Sequence, residues 1–252
     1  MKNYILLYIL LLAAVPSKGQ YTFHGKIEFE RKSNVHRQLD DMKSDDEEQG
    51  GSESWYSKMK TLLPKFHFSY FDYSFSQQTA FYRPGKEGDA PLKMFSNSPA
   101  SSNEVFTDFR NRQVTAQKQV FEQKFLVKDS LRQLEWKITD EIRTIANYKC
   151  RKAVGRICDS VYVVAFYTDD IAVSGGPEMF GGLPGMILEI AIPRLYTTWI
   201  ATKVEPESPK PQDYKAPEKG KKVTQKEMHD TLQESISKWG KWAQRSIWWS
   251  VL

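Results

Sequence analysis

The sequence predicts a mainly β or α+β fold: a curved antiparallel sheet, an open barrel in its most closed form, with a C-terminal amphipathic helix across it. A β-sandwich is the alternative. Apolar and polar residues alternate over residues 21–31, 66–70 and 134–145, the period of a strand with one dry face. Residues 161–168 are nearly all β-branched or aromatic, as in a central strand. Helical spacing is clearest near the end, where Met228, Leu232, Ile236, Trp239 and Ala243 recur every three or four residues.

The first element is a leader. Lys2 supplies positive charge, residues 4–15 are almost unbroken apolar, and Ser17 and Gly19 are the small residues expected before a cut after Gly19. The apolar stretch is shorter than the roughly 20 residues of a spanning helix, so residues 1–19 read as a signal peptide and the mature chain as exported, periplasmic or associated with the outer envelope. No later segment is long and apolar enough to span a membrane. Loss of Lys2 and Lys18 lowers the formal charge from +5 to +3. The remaining cations are dispersed among acids, which gives nucleic-acid binding no support.

The mature domain is expected over residues 20–202. Ile27 and Phe29 set the inward parity of the first strand. Residues 34–54 carry Asp40, Asp41, Asp45, Asp46, Glu47 and Glu48 without the ligand order of a calcium loop, and read as an acidic, solvated insertion. Phe66, Phe68 and Tyr70 are expected to face the core. Residues 108–129 suggest short strands joined by a turn, and Leu134, Trp136, Ile138 and Ile142 a dry sheet face.

Residues 175–190 are the most distinctive segment. Gly175, Gly176, Pro177, Gly181, Gly182, Leu183, Pro184 and Gly185 form a shaped loop that feeds the apolar strand beginning near Met186. Leu183 is expected as a buried anchor. The four prolines of residues 203–223 mark a linker, and Thr224 with Glu227 has the spacing of a capping box at the start of a helix over residues 224–247. Trp239, Trp242, Trp248 and Trp249 crowd the end beside Lys241 and Arg245. They suit either a plug for one end of the sheet or an interface with a partner or membrane surface.

Cys150 and Cys158 are the only cysteines. In an exported protein they could be bridged, or Cys150 could be buried and Cys158 unpaired; both readings stand on sequence. His24, His36, His67 and His229 are scattered without zinc spacing, so no metal or cofactor is expected. The glycines lack the Walker pattern and open no recognisable helix. Asp169, Asp170 and Glu178 are candidate catalytic acids only because they flank the glycine-rich loop.

The run from Gly181 to Glu189, with Trp136, Ile138, residues 148–153 and Gly176–Pro177–Glu178, resembles the GLPGLI family of exported Bacteroidetes proteins; Met186 stands where that signature usually has Leu. The resemblance implies export and domain identity, matches Cys150 to a habitual cysteine, and transfers no catalytic residue. The leading functional expectation is a non-catalytic envelope binding or assembly factor, its partner an envelope protein or lipid. A hydrolase acting on envelope peptide or glycan, and a purely structural module, are the alternatives. A non-enzymatic role is favoured over an enzymatic one on sequence.

Overall fold

A computed structural model describes residues 22–41, 53–88, 99–158, 161–208, 210, 214–236 and 240–252. The expected leader and most of the acidic cluster lie outside the described residues. One half of the sheet is a meander of β1 (Gly25–Asn34), β2 (Phe66–Phe75), β3 (Thr79–Pro84), β4 (Glu104–Asp108), β5 (Gln113–Val120) and β6 (Gln123–Ser130). The other half is β7 (Lys137–Ile145), β8 (Tyr148–Ile157), β9 (Val161–Thr168), β10 (Met186–Ile192) and β11 (Thr197–Glu205). Antiparallel pairing of β1 with β11 joins the halves. With β12 (Lys221–Val223) at one edge, the resulting 12-stranded order is β12-β6-β5-β4-β3-β2-β1-β11-β10-β9-β8-β7.

The connections force this sheet to curl. Strands β6 and β7 stand ten places apart in that order, about 48 Å across a flat sheet at roughly 4.8 Å per strand. The six residues between Ser130 and Lys137 span at most about 25 Å when fully extended. The two flanks must therefore approach each other around a concave face, leaving an open, curved sheet and not two stacked sheets.

The concave face holds one core that includes Ile27, Phe29, Phe71, Tyr73, Phe75, Tyr82, Val163, Ile187 and Trp199. In β2 the core parity is Phe71, Tyr73 and Phe75, which corrects the expectation for Phe66, Phe68 and Tyr70. Those three rings lie half-buried on the opposite face. Lys32 sits 4.2 Å from the Phe66 ring centre and Lys86 sits 4.4 Å from that of Tyr70, so cations cover aromatic surface that the core leaves over. Ile138 and Ile142 of the edge strand β7 are exposed, one on each side of a register slip, which corrects the dry face expected for them.

Val35–Asp40, inside the expected insertion, forms α1, and Glu53–Leu62, which begins at the end of that insertion, forms α2; Leu39, Tyr56 and Leu63 make a small core between them. The proline-rich segment ends in β12 (Lys221–Val223), which pairs parallel to β6 and makes the sheet mixed. The single helix expected over residues 224–247 is two: α3 (Gln225–Ile236) and α4 (Gly240–Ser250). Ile236 packs on Ile247, whereas a continuous helix would hold residues 11 apart about 16 Å from each other. Met228, Leu232 and Ile236 form the buried stripe of α3. The Thr224 amide donates to Glu227 Oε2 at 2.7 Å and the Glu227 amide donates to Thr224 Oγ1 at 3.2 Å, completing the capping box.

Trp248 and Trp249 are buried, with Trp249 6.0 Å from Trp199 between ring centres. They are core, which removes them from the proposed interface. Trp239 lies outside the described residues, and so does the side chain of Trp242. Arg245 ties α4 to α1 through Gln38 O at 2.9 Å and Asp41 Oδ2 at 2.5 Å. No helix among the described residues is long and apolar enough to cross a membrane.

Candidate functional site

Glu178 is the centre of the most unusual chemistry in the fold. The loop between β9 and β10 carries it into the concave face with φ of 54°, a left-handed conformation uncommon for a residue with a Cβ. Its side chain is fully buried. Oε2 accepts from Asn103 Nδ2 at 2.8 Å and Oε1 accepts from the Tyr82 hydroxyl at 3.3 Å. The Tyr82 oxygen in turn accepts from Trp199 Nε1 at 3.1 Å.

Two cations share this interior. Arg31 continues the inward parity of Ile27 and Phe29 on β1. Its guanidinium lies 5.1 Å from the ring centre of Phe71, 5.8 Å from Trp199 and 5.4 Å from Trp249, and Nη1 donates to Pro99 O at 2.8 Å. Lys118 holds the inward parity of Val114 and Ala116 on β5, and its Nζ donates to Ser250 O at 3.0 Å. Sequence reading missed both, although each sits in phase with apolar neighbours on its strand. That phase is the signal that marks them.

Burial governs how these groups titrate. Desolvation raises the Glu178 carboxyl above its ordinary range against the pull of Asn103, Lys118 and Arg31. Burial, with Arg132 nearby, lowers Lys118 to about 7, while Glu178 opposes that change. Desolvation and the Glu178 charge push the Tyr82 hydroxyl well above its usual value. A carboxyl that keeps its proton more readily and an amine that gives one up near neutrality are the two partners that proton transfer requires.

An open cavity of about 520 Å³ adjoins this cluster between β5, α1 and α4. Asn103 and Lys118 contribute to its wall with Leu39, Arg245, Trp249 and Ser250. Asn103 thus links the cavity wall to the buried Glu178 by one hydrogen bond.

The other sequence candidates separate in space. Asp169 and Asp170 are exposed, so the three acids do not form one catalytic set with the buried Glu178. The glycine-rich loop is strapped in place: Trp136 Nε1 donates to Gly181 O at 2.9 Å, the Gly182 amide to Ser174 Oγ at 3.0 Å and the Met179 amide to Leu252 O at 3.3 Å. Leu183 is buried, as expected. Gly175, Gly181 and Gly182 line a second cavity.

Cys150 and Cys158 are unbridged, the first buried and the second exposed. The disulfide reading fails because Cys150 lies within extended β8 and Cys158 immediately follows its end. Eight residues of strand separate Cα atoms by about 26 Å, far beyond disulfide reach.

The fold is thus a curled open sheet with an acid and an amine buried beside a cavity. Residues 95–231 match the family model described as the N-glycanase peptide, N-terminal domain, and the chain belongs to that family. Two structures of PNGF-II share the fold. The one in space group C2 is 15% identical with TM-score 0.50, covering 90% of this chain and 33% of that chain. The one in space group P21 is 16% identical with TM-score 0.50, covering 84% and 34%. This chain therefore spans about a third of the length of those structures. No curated protein matches it in sequence. The family match overturns the expected non-catalytic envelope binding or assembly factor and favours the glycan branch of the hydrolase alternative.

Proposed function

We propose that this chain serves in the hydrolysis of N-glycans, as a hydrolase-like unit of the N-glycanase N-terminal type whose site is the cavity beside Asn103 and Lys118. The observation that carries this reading is the buried Glu178 carboxyl, held by Asn103 and Tyr82 directly behind the cavity wall. Its raised pKa suits a proton donor, and Lys118, lowered to about 7, suits an acceptor at neutral pH. Membership of a family named for N-glycanase supplies the substrate class. The leader expected at residues 1–19 and the GLPGLI resemblance fit work on glycoproteins outside the cytoplasm.

Incubating the chain with an N-glycosylated glycopeptide and following free glycan by mass spectrometry tests this. Wild type should release glycan, and Glu178→Gln and Lys118→Met should each reduce release at least tenfold while remaining folded by near-ultraviolet circular dichroism. Absence of release by folded wild type, or release unchanged in both variants, would overturn the reading.

A further inference from the structure

The second cavity, about 400 Å³, opens where the glycine-rich loop meets β2, β4, β5 and the segment that follows β6. Arg132 and Arg112 both line it, with no Asp or Glu in the described lining. Arg132 Nη2 donates to Val251 O, which fixes the guanidinium against the C-terminal segment. Its Nη1 is buried and has no hydrogen-bond partner among the described residues. An unpaired buried guanidinium N–H is costly, and an oxyanion is its natural complement.

The charge of the interior points the same way. Arg31, Lys118 and Arg132 lie close enough to act on one another or on Glu178; Glu178 is the buried carboxylate of this cluster, and Asp129 also acts on Arg132. The cationic excess already works against Lys118, whose proton Arg132 helps to expel. An added anion beside Arg132 would relieve that excess.

The rest of the wall suits a sugar. Phe109 offers a half-buried ring beside the buried Tyr73 and Phe180, while Gln77, Thr107 and Gln133 offer amide and hydroxyl groups at the same cavity. Aromatic faces receive the C–H side of a pyranose, and amides receive its hydroxyls.

We propose that this cavity binds an acidic saccharide, its carboxylate or sulfate held by Arg132 with Arg112 at the mouth and its ring against the aromatic wall. The anion site rests on Arg132 and the cavity alone; the saccharide part rests on the N-glycan reading above.

Isothermal titration of the whole chain with N-acetylneuraminate, glucuronate, N-acetylglucosamine 6-sulfate, neutral N-acetylglucosamine, acetate and inorganic sulfate tests it. At least one acidic sugar should bind about tenfold or more tightly than the neutral sugar and the free anions, equivalent to about 1.4 kcal/mol. The carboxylate and sulfate sugars distinguish which group is preferred. Arg132→Gln should abolish that binding. Because Arg132 also anchors Val251, Arg112→Glu is the second variant: it reverses charge at an exposed position and should weaken binding at least fivefold in a normally folded protein.

Absence of acidic-sugar binding at millimolar concentration overturns the proposal. So does equal binding of the neutral sugar or the free anions, or affinity unchanged in Arg112→Glu. Failed glycan release with acidic-sugar binding intact would sink only the catalytic reading, and intact release without acidic-sugar binding would sink only this one.

Discussion

Trp199 on β11 donates its indole N–H to the Tyr82 hydroxyl on β3 at 3.1 Å, although β1 and β2 lie between their strands. The contact spans the concave face, and the same hydroxyl donates onward to Glu178. Sheet curvature and the state of the buried acid are therefore joined at one oxygen. Tyr82→Phe keeps the ring, 4.9 Å from Phe71 between centres, but leaves a buried indole donor and a buried carboxyl each short of a partner. A loss of about 1–3 kcal/mol is expected from the unsatisfied groups. Urea unfolding followed by tryptophan fluorescence reads it, and a variant as stable as wild type would show that the hydroxyl chain contributes nothing.

Lys118 gives the fold a pH dependence of definite sign. Its folded value is about 7 against an ordinary 10.5, so between those values the unfolded chain holds a proton that the native chain has released. Stability then rises with pH through that window and carries the full penalty of burying the charge below it. Glu178 acts oppositely: its raised value means native protein binds the extra proton, and stability falls as pH rises just above the ordinary carboxyl range. Lys118→Met removes the first dependence. Relative to the variant, wild type should gain stability at up to about 1.4 kcal/mol per pH unit above neutrality. Parallel stability curves over that range would contradict a buried, titrating Lys118.

Much of this architecture was legible in local pattern. The central strand β9, the strand after the glycine loop, the buried Leu183 and the Thr224–Glu227 capping box all follow from side-chain period or fixed local spacing. The site was less legible because its members come from five separate places: Arg31 on β1, Tyr82 on β3, Asn103 ahead of β4, Lys118 on β5 and Glu178 in the loop. Arg31 and Lys118 were visible as cations in inward phase, but Asn103 carried no such signal. The loop marks Glu178, but nothing local distinguishes its burial from the exposure of Asp169 and Asp170. The choice of Phe71, Tyr73 and Phe75 over Phe66, Phe68 and Tyr70 was equally hidden, because β2 is aromatic on both faces.

The two thiols should behave differently. Burial pushes Cys150 up to about 12, so it presents little thiolate at neutral pH, while Cys158 is exposed. Reactivity follows thiolate fraction and access. Native protein treated with iodoacetamide should gain one carbamidomethyl group, on Cys158, and a second on Cys150 only after unfolding. Unchanged mass in unfolded, unreduced protein would instead reveal a bridge and require a different path for β8.

Gly182 and Gly185 bracket Leu183 and Pro184, yet they need glycine for different reasons. Gly182 has φ of +86°, while an added Cβ would meet only Trp136, at 3.6 Å from Nε1. The conformation is costly there and the space is available, so Gly182→Ala should lose about 1 kcal/mol. At Gly185 an added Cβ would lie 2.0 Å from Thr168 O and 2.7 Å from its carbonyl carbon. Those are backbone atoms of β9, the strand that pairs with β10, and they cannot rotate away. Gly185→Ala should therefore cost more, about 2–3 kcal/mol or above, as the backbone shifts to relieve overpacking; Gly185→Val adds a branched side chain at the same clash and should cost at least as much. Equilibrium unfolding of the three variants checks the order. Equal losses at Gly182 and Gly185 would mean that backbone conformation alone sets the requirement, whereas the close approach of β9 predicts the larger loss at Gly185.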